Sequence, residues 1–272
     1  MSSARWDTHT VELGPHHVTK RFHGADRGNS QREWRALGLL ASYAPGLAPV
    51  PREADLTAAE PVVVMSRLPG EPLRGRALDG EVINALAAAV KTLHSALPPD
   101  VLAAASLRPG HQRELTAHLR SWAPQARARA RDEVGTAMEQ GLRWLARSGM
   151  VAAPRDVPRV FGAGDGNLAN YLWDGSRVRI VDFEDSGSSD RAFELAEITE
   201  HAGAWVDRPL DVASFLDRFD LTAAESARLK ECRRLLALVW LFLLSFDEDG
   251  ENPRNPPGTA KRQARRLNDL LA

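Results

Sequence analysis

Val160-Phe161-Gly162-Ala163-Gly164-Asp165-Gly166-Asn167-Leu168-Ala169-Asn170-Tyr171-Leu172-Trp173-Asp174-Gly175-Ser176-Arg177-Val178-Arg179-Ile180-Val181-Asp182-Phe183-Glu184 is the stretch on which the reading of this chain turns. Asp174-Gly175 signals a hairpin, because both residue types tolerate the positive φ that a type I′ turn requires. Tyr171-Leu172-Trp173 and Arg177 to Val181 are then paired strands. That hairpin brings Asn170 and Asp182 to one end, with Asp165 on the loop that feeds it. Two acids and an amide converge where a strand pair opens into loop.

Such a trio suits a hard divalent cation, which takes oxygen ligands and keeps several waters. A carboxylate near the metal but not bound to it can orient a hydroxyl and accept its proton. With a lysine on the phosphates, these are the parts of phosphoryl transfer. The plainer alternative is a polar loop held by Asx turns, and Asp174 belongs to that class. A lone aspartate would be read that way. Three groups spaced around one hairpin favour chemistry.

Outward from this segment, the N-terminal part reads as strands. Thr10 to Leu13, the turn Gly14-Pro15, and His16 to Phe22 form two short strands, the second with Val18, Lys20 and Phe22 on one face. An inward lysine there is unusual, and its bland explanation is an edge strand whose lysine snorkels to water. Ser30 to Ser42 reads as a helix with Trp34, Leu37 and either Gly38 or Ala41 as its apolar stripe and Glu33 beside it. Pro45, Pro49 and Pro51 punctuate a loop, and Pro61 to Met65 is an apolar strand. The Pro/Gly turn that follows marks a domain boundary near residue 67. Beyond it the chain turns helical: Asp79 caps a helix with the stripe Val82, Leu86, Ala89, Val90, Leu93 and Leu97. Two more helices occupy residues 111–149, with an interruption near Trp122-Ala123-Pro124. After the hairpin the chain is helical again, apart from a polar tract from Asp247 to Gly258.

Asp165-x-x-x-x-Asn170 followed by Ile180-Val181-Asp182-Phe183-Glu184 resembles the catalytic loop and metal-binding motif of the aminoglycoside phosphotransferase and choline kinase family. Asp190-Arg191-Ala192-Phe193-Glu194-Leu195-Ala196, Leu93-His94, and Met65 to Pro72 resemble further family segments, and Lys20 and Glu33 fall where its strand lysine and helix glutamate belong. The match runs in order over roughly residues 10–205, which is more specific than any single motif.

The resemblance implies an α+β, bilobal protein-kinase-like fold. Residues 1–67 would form a shortened, β-rich, nucleotide-binding N-lobe. Residues 68–272 would form a helical C-lobe with the catalytic loop and the substrate-binding helices. It implies Asp165 as catalytic base, Asn170 and Asp182 as magnesium holders, and Lys20 on the α/β-phosphates, paired with Glu33. Backbone groups of Met65, Ser66 and Leu68 would face the base of ATP or GTP. The acceptor would be a small-molecule hydroxyl: an aminoglycoside or other antibiotic, an amino alcohol, a sugar or an amino acid. Nothing separates antibiotic resistance from biosynthesis.

Three positions depart from the family pattern. The motif histidine two residues before the catalytic aspartate is Ala163 here, and the loop itself reads Asp165-Gly166-Asn167-Leu168-Ala169-Asn170. Only nineteen residues precede Lys20, and no glycine-rich loop is found among them.

Other features weigh less. Glu184, Asp185, Asp190, Glu194, Glu197 and Glu200 crowd the metal motif; Glu184 and Asp185 in particular are candidates to attract a cationic substrate, and Glu194 reads as structural. His9, His16, His17 and His23 lack metal-ligand spacing and read as surface histidines. Arg127, Arg129 and Arg131 lack interleaved aromatics and read as a solvated helix face, not a nucleic-acid patch. A formal net charge of −1 gives no global pull toward nucleic acid or anionic membrane. Cys232 has no partner for a disulfide and reads as packed. The run Leu235 to Phe246 is shorter than the roughly 20 residues that a membrane helix needs. Met1 to Asp7 lacks the apolar core of a secretory signal, so a cytoplasmic protein is expected. The remaining alternatives are a kinase acting on Ser/Thr of a peptide and a nucleotide-binding regulator without turnover.

Overall fold

The computed structural model describes residues 9–23, 28–129, 132–150 and 157–272. The readings made on Met1 to Asp7, on Arg131 and on the Arg127 side chain lie outside the described residues. The first layer is an antiparallel sheet of β1 (His9–Leu13), β2 (His17–Phe22), β3 (Pro51–Asp55) and β4 (Val62–Ser66), in the order β1-β2-β4-β3. In β2 the period of two holds: Lys20 and Phe22 are buried and Val18 is half-buried. The snorkelling lysine is corrected, because β2 is an interior strand and Lys20 is only 3% exposed. The proline-rich loop also needs correction, since Pro51 opens an edge strand. A missing N–H at the first residue of an edge strand costs no ladder bond.

Helix α1 (Gly28–Tyr43) packs on this sheet. Its buried stripe is Ser30, Glu33, Ala36, Leu37 and Leu40; Trp34 is half-buried and Ala41 exposed, which rotates the stripe from the expected one. The rotation puts a carboxylate in the apolar face. An ammonium waits for it there, as described below.

The helical part begins after β5 (Glu71–Pro72). Asp79 caps α2 (Gly80–His94) by accepting from Val82 N at 3.0 Å, and the predicted stripe from Val82 to Leu93 is buried. After α3 (Pro99–Ala104), α4 (Gln112–Ala128) runs straight through Pro124. No break occurs at Trp122, whose ring lies against Phe242 and Phe246 and holds the helix on the core. The break comes later, where Asp132 caps α5 (Glu133–Arg147) through Gly135 N at 2.7 Å.

The stretch 160–184 and the residues flanking it form β6 (Arg159–Gly162), β7 (Tyr171–Trp173), β8 (Val178–Ile180) and β9 (Gly187–Asp190). β5, β7 and β8 make one small sheet, and β6 pairs with β9. The chain closes with α6 (Arg191–Glu200), α7 (Val212–Leu216), α8 (Ala223–Glu248) and α9 (Thr259–Leu271). The apolar run from Leu235 lies inside α8, among side chains of α4, α5, α6 and α9, and Cys232 is buried there as expected. α8 outlasts the expected start of the polar tract: Asp247 is within the helix and buried. It accepts from Arg254 N, Asn255 N and Asn255 Nδ2, which folds the tract back. No helix among the described residues is long and apolar enough to cross a membrane.

Candidate active site

β7 and β8 pair as Tyr171↔Ile180, Leu172↔Arg179 and Trp173↔Val178. The connecting turn therefore spans residues 174–177, longer than the two-residue type I′ turn expected, and only Gly175 takes positive φ (97°). Asp174 instead accepts from Ser176 N and Arg177 N, each at 2.9 Å, as an Asx turn. Its carboxylate is also paired with Arg179, and these bonds hold its pKa well below the usual carboxylate range, the backbone N–H groups first.

At the open end of the hairpin, Val181 N donates to Asn170 O at 2.9 Å. Asp182 follows with φ 68°, the sole non-glycine positive φ among the described residues. A bulky residue resists that conformation, while aspartate tolerates it better than most. The reversal buries Phe183 completely and leaves the Asp182 side chain a quarter exposed toward a cavity of about 430 Å³. Lys20, Glu33, Met65, Ser66, Leu68, Asn170 and Asp182 all line this cavity, with Val18 and Leu172 among its apolar walls. Seven of the ten residues singled out from the sequence thus border one space between sheet and hairpin.

Lys20 is the electrostatic centre. Its Nζ lies 3.0 Å from Glu33 Oε2, 2.5 Å from Asp182 Oδ1 and 3.1 Å from Glu184 Oε2. Burial alone would lower the pKa of this ammonium, but the three carboxylates outweigh it and raise it well above the ordinary lysine value. Glu33 is fully buried, which pushes its carboxyl up to about 7 against the pull of Lys20. Its Oε2 also accepts from Phe183 N at 2.9 Å.

Glu184, expected as a substrate wall, is buried here and engaged by Lys20 and by His9 Nδ1 at 3.0 Å. Its neighbours are on the lysine side of the site. His9, read as a surface histidine, is one of the three potential ligand groups (His9, Asp182, Glu184) that cluster here, and the Lys20 ammonium pairs with both of the acids. Asp185 remains half-buried beside Arg108, and burial next to Glu184 raises its carboxyl to about 6.

Asp165 sits at the mouth of the hairpin, its side chain about a third exposed. Oδ2 accepts from Asn170 Nδ2 at 2.9 Å and Oδ1 from Asn167 N at 2.9 Å. Desolvation first, and then the charge of Asp182, raise its pKa to about 6 despite these donors. Two glycines let the loop reach this place. A Cβ on Gly164, whose φ is 87°, would fall 2.0 Å from Asp185 O, and one on Gly166 would fall 2.2 Å from Glu197 O.

Two contributors to the site went unnoticed in the sequence. Arg108, 4% exposed, donates to Gly164 O at 2.6 Å and lies 3.2 Å from Glu194 Oε1 and 3.0 Å from Glu197 Oε1. It arrives on a segment pinned by Ser188 N to Ser106 O and by Arg108 N to Ser188 O, pairing that no local motif announces. Glu194, read as structural, is one of its anchors. The other is His201, whose Nε2 lies 3.3 Å from Asp165 Oδ1.

A sheet lobe carrying a paired lysine, set against a helical lobe with this hairpin, is the layout of the protein-kinase-like fold. The chain belongs to the phosphotransferase enzyme family, which it matches over residues 2–236. It is an enzyme, a kinase with an alcohol group as acceptor. Among solved structures it is similar to a choline/ethanolamine kinase family protein from Mesorhizobium loti, with 18% identity, TM-score 0.69, and coverage of 99% of this chain and 87% of that one. It is also similar to APH(2")-IIa in its gentamicin complex, with 12% identity, TM-score 0.65, and coverage of 100% and 89%. A third is spectinomycin phosphotransferase APH(9)-Ia in complex with ADP and spectinomycin, with 12% identity, TM-score 0.61, and coverage of 100% and 89%. No curated protein matches the chain.

Proposed function

We propose that this enzyme transfers the γ-phosphate of ATP or GTP, with magnesium, to a hydroxyl of a small molecule, and that residues 1–67 and 68–272 are its two lobes. The observation that carries the reading is the convergence of Lys20, Asn170 and Asp182 on one cavity of about 430 Å³, with Asp165 hydrogen-bonded to Asn170 at its edge. A nucleotide base fits between Val18 and Leu172, against the backbone of Met65, Ser66 and Leu68. Lys20, held by Glu33, is placed to meet the α/β-phosphates.

The residues suit magnesium. Asp182 offers carboxylate oxygen to the cavity, and the Asn170 amide, whose nitrogen is spent on Asp165, has its oxygen left to ligate. Held by these two residues, the ion would supply positive charge to offset the charge that develops on the transferred phosphate. Asp165 keeps one lone-pair direction of Oδ2 for the incoming hydroxyl and is poised, with a pKa near 6, to accept its proton. Most of the catalysis is positioning and charge neutralisation. An acceptor carrying an amine, such as an aminoglycoside or an amino alcohol, complements Asp185 and the acidic residues around Arg108. The reading places the protein in the cytoplasm, where nucleoside triphosphates are abundant.

The test is the thermal midpoint with and without MgATP and MgGTP, for the wild type and Asp182→Asn. A magnesium-dependent rise that the variant loses supports the site and ranks the nucleotides, after which an acceptor screen follows. A folded protein that shifts with neither nucleotide sinks the proposal.

A further inference from the structure

His201 lies at the start of a 3₁₀ turn, Ala202–Ala204, directly after α6. Its Nδ1 accepts a hydrogen bond from Gly203 N at 2.9 Å. An imidazole nitrogen that accepts from a backbone N–H carries no proton, so in the neutral ring the proton is on Nε2. Nε2 is the atom 3.3 Å from Asp165 Oδ1. The backbone of the turn thus selects the tautomer that carries its proton on the nitrogen nearest the carboxylate.

The ring is fixed from several sides. Trp240 meets it edge-on, with centroids 4.4 Å apart and planes at 74°. Gly203 is held against the catalytic loop so closely that a Cβ would fall 2.4 Å from Asn167 Oδ1. Asn167 is the residue whose N–H bonds the same Asp165 oxygen and whose side chain caps the turn Leu168–Asn170. The histidine and the loop are therefore registered to one another through a glycine. Within the loop, Ala163 supplies only a buried methyl and no donor. Burial, helped by the nearby Arg74 charge, lowers the His201 pKa to about 3, so the ring is a neutral donor and not a cation.

We propose that His201 is a positioning residue for Asp165: its Nε2–H, with Asn167 N–H and Asn170 Nδ2, fixes the carboxylate plane so that the remaining Oδ2 lone pair faces the acceptor hydroxyl. This rests on the reading of Asp165 as the base. Two hydrogen bonds, from Asn167 N and Asn170 Nδ2, take two of the carboxylate's four lone-pair directions, and His201 Nε2, in contact at 3.3 Å, flanks a third, which leaves a single open one on Oδ2. Loss of the histidine donor frees the carboxylate to rotate about its terminal torsion, which is broad by nature. A misplacement of about 1 Å at a reacting group can cost on the order of 10²-fold in rate.

The experiment has a spectroscopic arm and a kinetic arm. Histidine ¹⁵N NMR of the full chain should show His201 as the neutral Nε2–H tautomer throughout pH 5–8, and its Nε2–H signal should move in Asp165→Asn. A His201 that titrates in this range, or a signal indifferent to Asp165→Asn, overturns the proposal whatever the activity. For kinetics, MgATP hydrolysis is followed with water as the acceptor. His201→Leu should lose kcat by about 10- to 100-fold with the KM for MgATP unchanged. His201→Gln, whose amide nitrogen falls near the place of Nε2, should recover most of that loss. Equal kcat in the Leu and Gln variants overturns the assignment. Both variants should keep the wild-type thermal shift with MgATP. A wild type that shows no shift would instead count against the nucleotide reading, and the NMR arm judges the histidine independently.

Discussion

One carboxylate oxygen, Oε2 of Glu33, accepts from both the Lys20 ammonium at 3.0 Å and the Phe183 backbone N–H at 2.9 Å. Helix α1, strand β2 and the residue after Asp182 are thus joined at a single atom. Because Phe183 follows the φ 68° residue, the bond also holds the reversed backbone that aims Asp182 into the cavity. Glu33→Leu removes one partner of a buried pair, which typically costs about 3–5 kcal/mol. Glu33→Gln keeps an acceptor for Phe183 while removing the charge. We expect it to fold, to retain most of its kcat, and to raise the KM for nucleotide as Lys20 shifts onto Asp182 and Glu184. Chemical denaturation and nucleotide titration of both variants check this. Equal stability of Leu and Gln variants would contradict it.

Arg108 is the only cation within reach of Glu194 and Glu197 among the ion pairs of the described residues, and it also holds Gly164 O. In Arg108→Met the two acids lose their countercharge. Burial, the larger influence, already raises Glu197 to about 7, with Arg108 opposing it. Removing the arginine raises it further, so the variant's folded state binds a proton that its unfolded chain, with an ordinary carboxyl, releases above about pH 4–5. Wild-type Glu197 itself keeps its proton up to about pH 7, so the stability deficit of Arg108→Met against wild type should be flat from about pH 5 to 7 and grow as pH rises above 7. Urea midpoints at three pH values would show it, and a pH-independent deficit would refute it.

A pH profile of catalysis follows from Asp165 as the proposed base. Its carboxyl, raised to about 6 chiefly by desolvation and then by Asp182, must be ionised to accept a proton. kcat/KM should fall about tenfold for each pH unit below 6 and level off above pH 7. Asp182→Ala removes the charge that helps to raise it; whatever activity survives should have its acid limb at lower pH. An acid limb near pH 4 in the wild type would remove Asp165 from the role of base.

The parts of the site that could be read in the sequence are those built from short-range order. Asp165, Asn170 and Asp182 are spaced by a hairpin whose strands and turn residues are local, so the error was confined to the length of the turn at residues 174–177. Lys20 was visible because a strand's period of two put it between Val18 and Phe22. Glu33 was found through the resemblance, while the helical stripe was mis-rotated, since an apolar-periodicity reading gives no place to a buried carboxylate. Arg108 and His201 were invisible for a different reason. Each reaches the catalytic loop across a long separation in sequence, and each is held by backbone bonds (Ser188 for one, Gly203 for the other) that leave no compositional trace. Acids beside a metal motif suggest attraction of a cationic substrate, whereas the sequence does not show that Glu184 lies 3.1 Å from the buried Lys20 ammonium.

His94 offers a last test, in stability alone. It closes α2, its Nδ1 is buried with no hydrogen-bond partner, and burial lowers its pKa to about 4, with Glu194 opposing and Arg191 adding to the drop. In the unfolded chain the ring takes up a proton below about pH 6.5, whereas in the folded chain it stays neutral until about pH 4. The folded state is therefore at no disadvantage above pH 6.5 and loses ground as pH falls from 6.5 toward 4. At pH 5 the loss from this group is about 1–2 kcal/mol. His94→Phe abolishes the titration while keeping an aromatic ring at the site. Other groups titrate over the same range, so the informative quantity is the stability of wild type minus that of His94→Phe, which should fall by about that amount between pH 7 and pH 5. A difference that stays constant would mean that His94 ionises as freely in the folded protein as in the unfolded one, and that its buried nitrogen has a partner able to accept a proton's hydrogen bond.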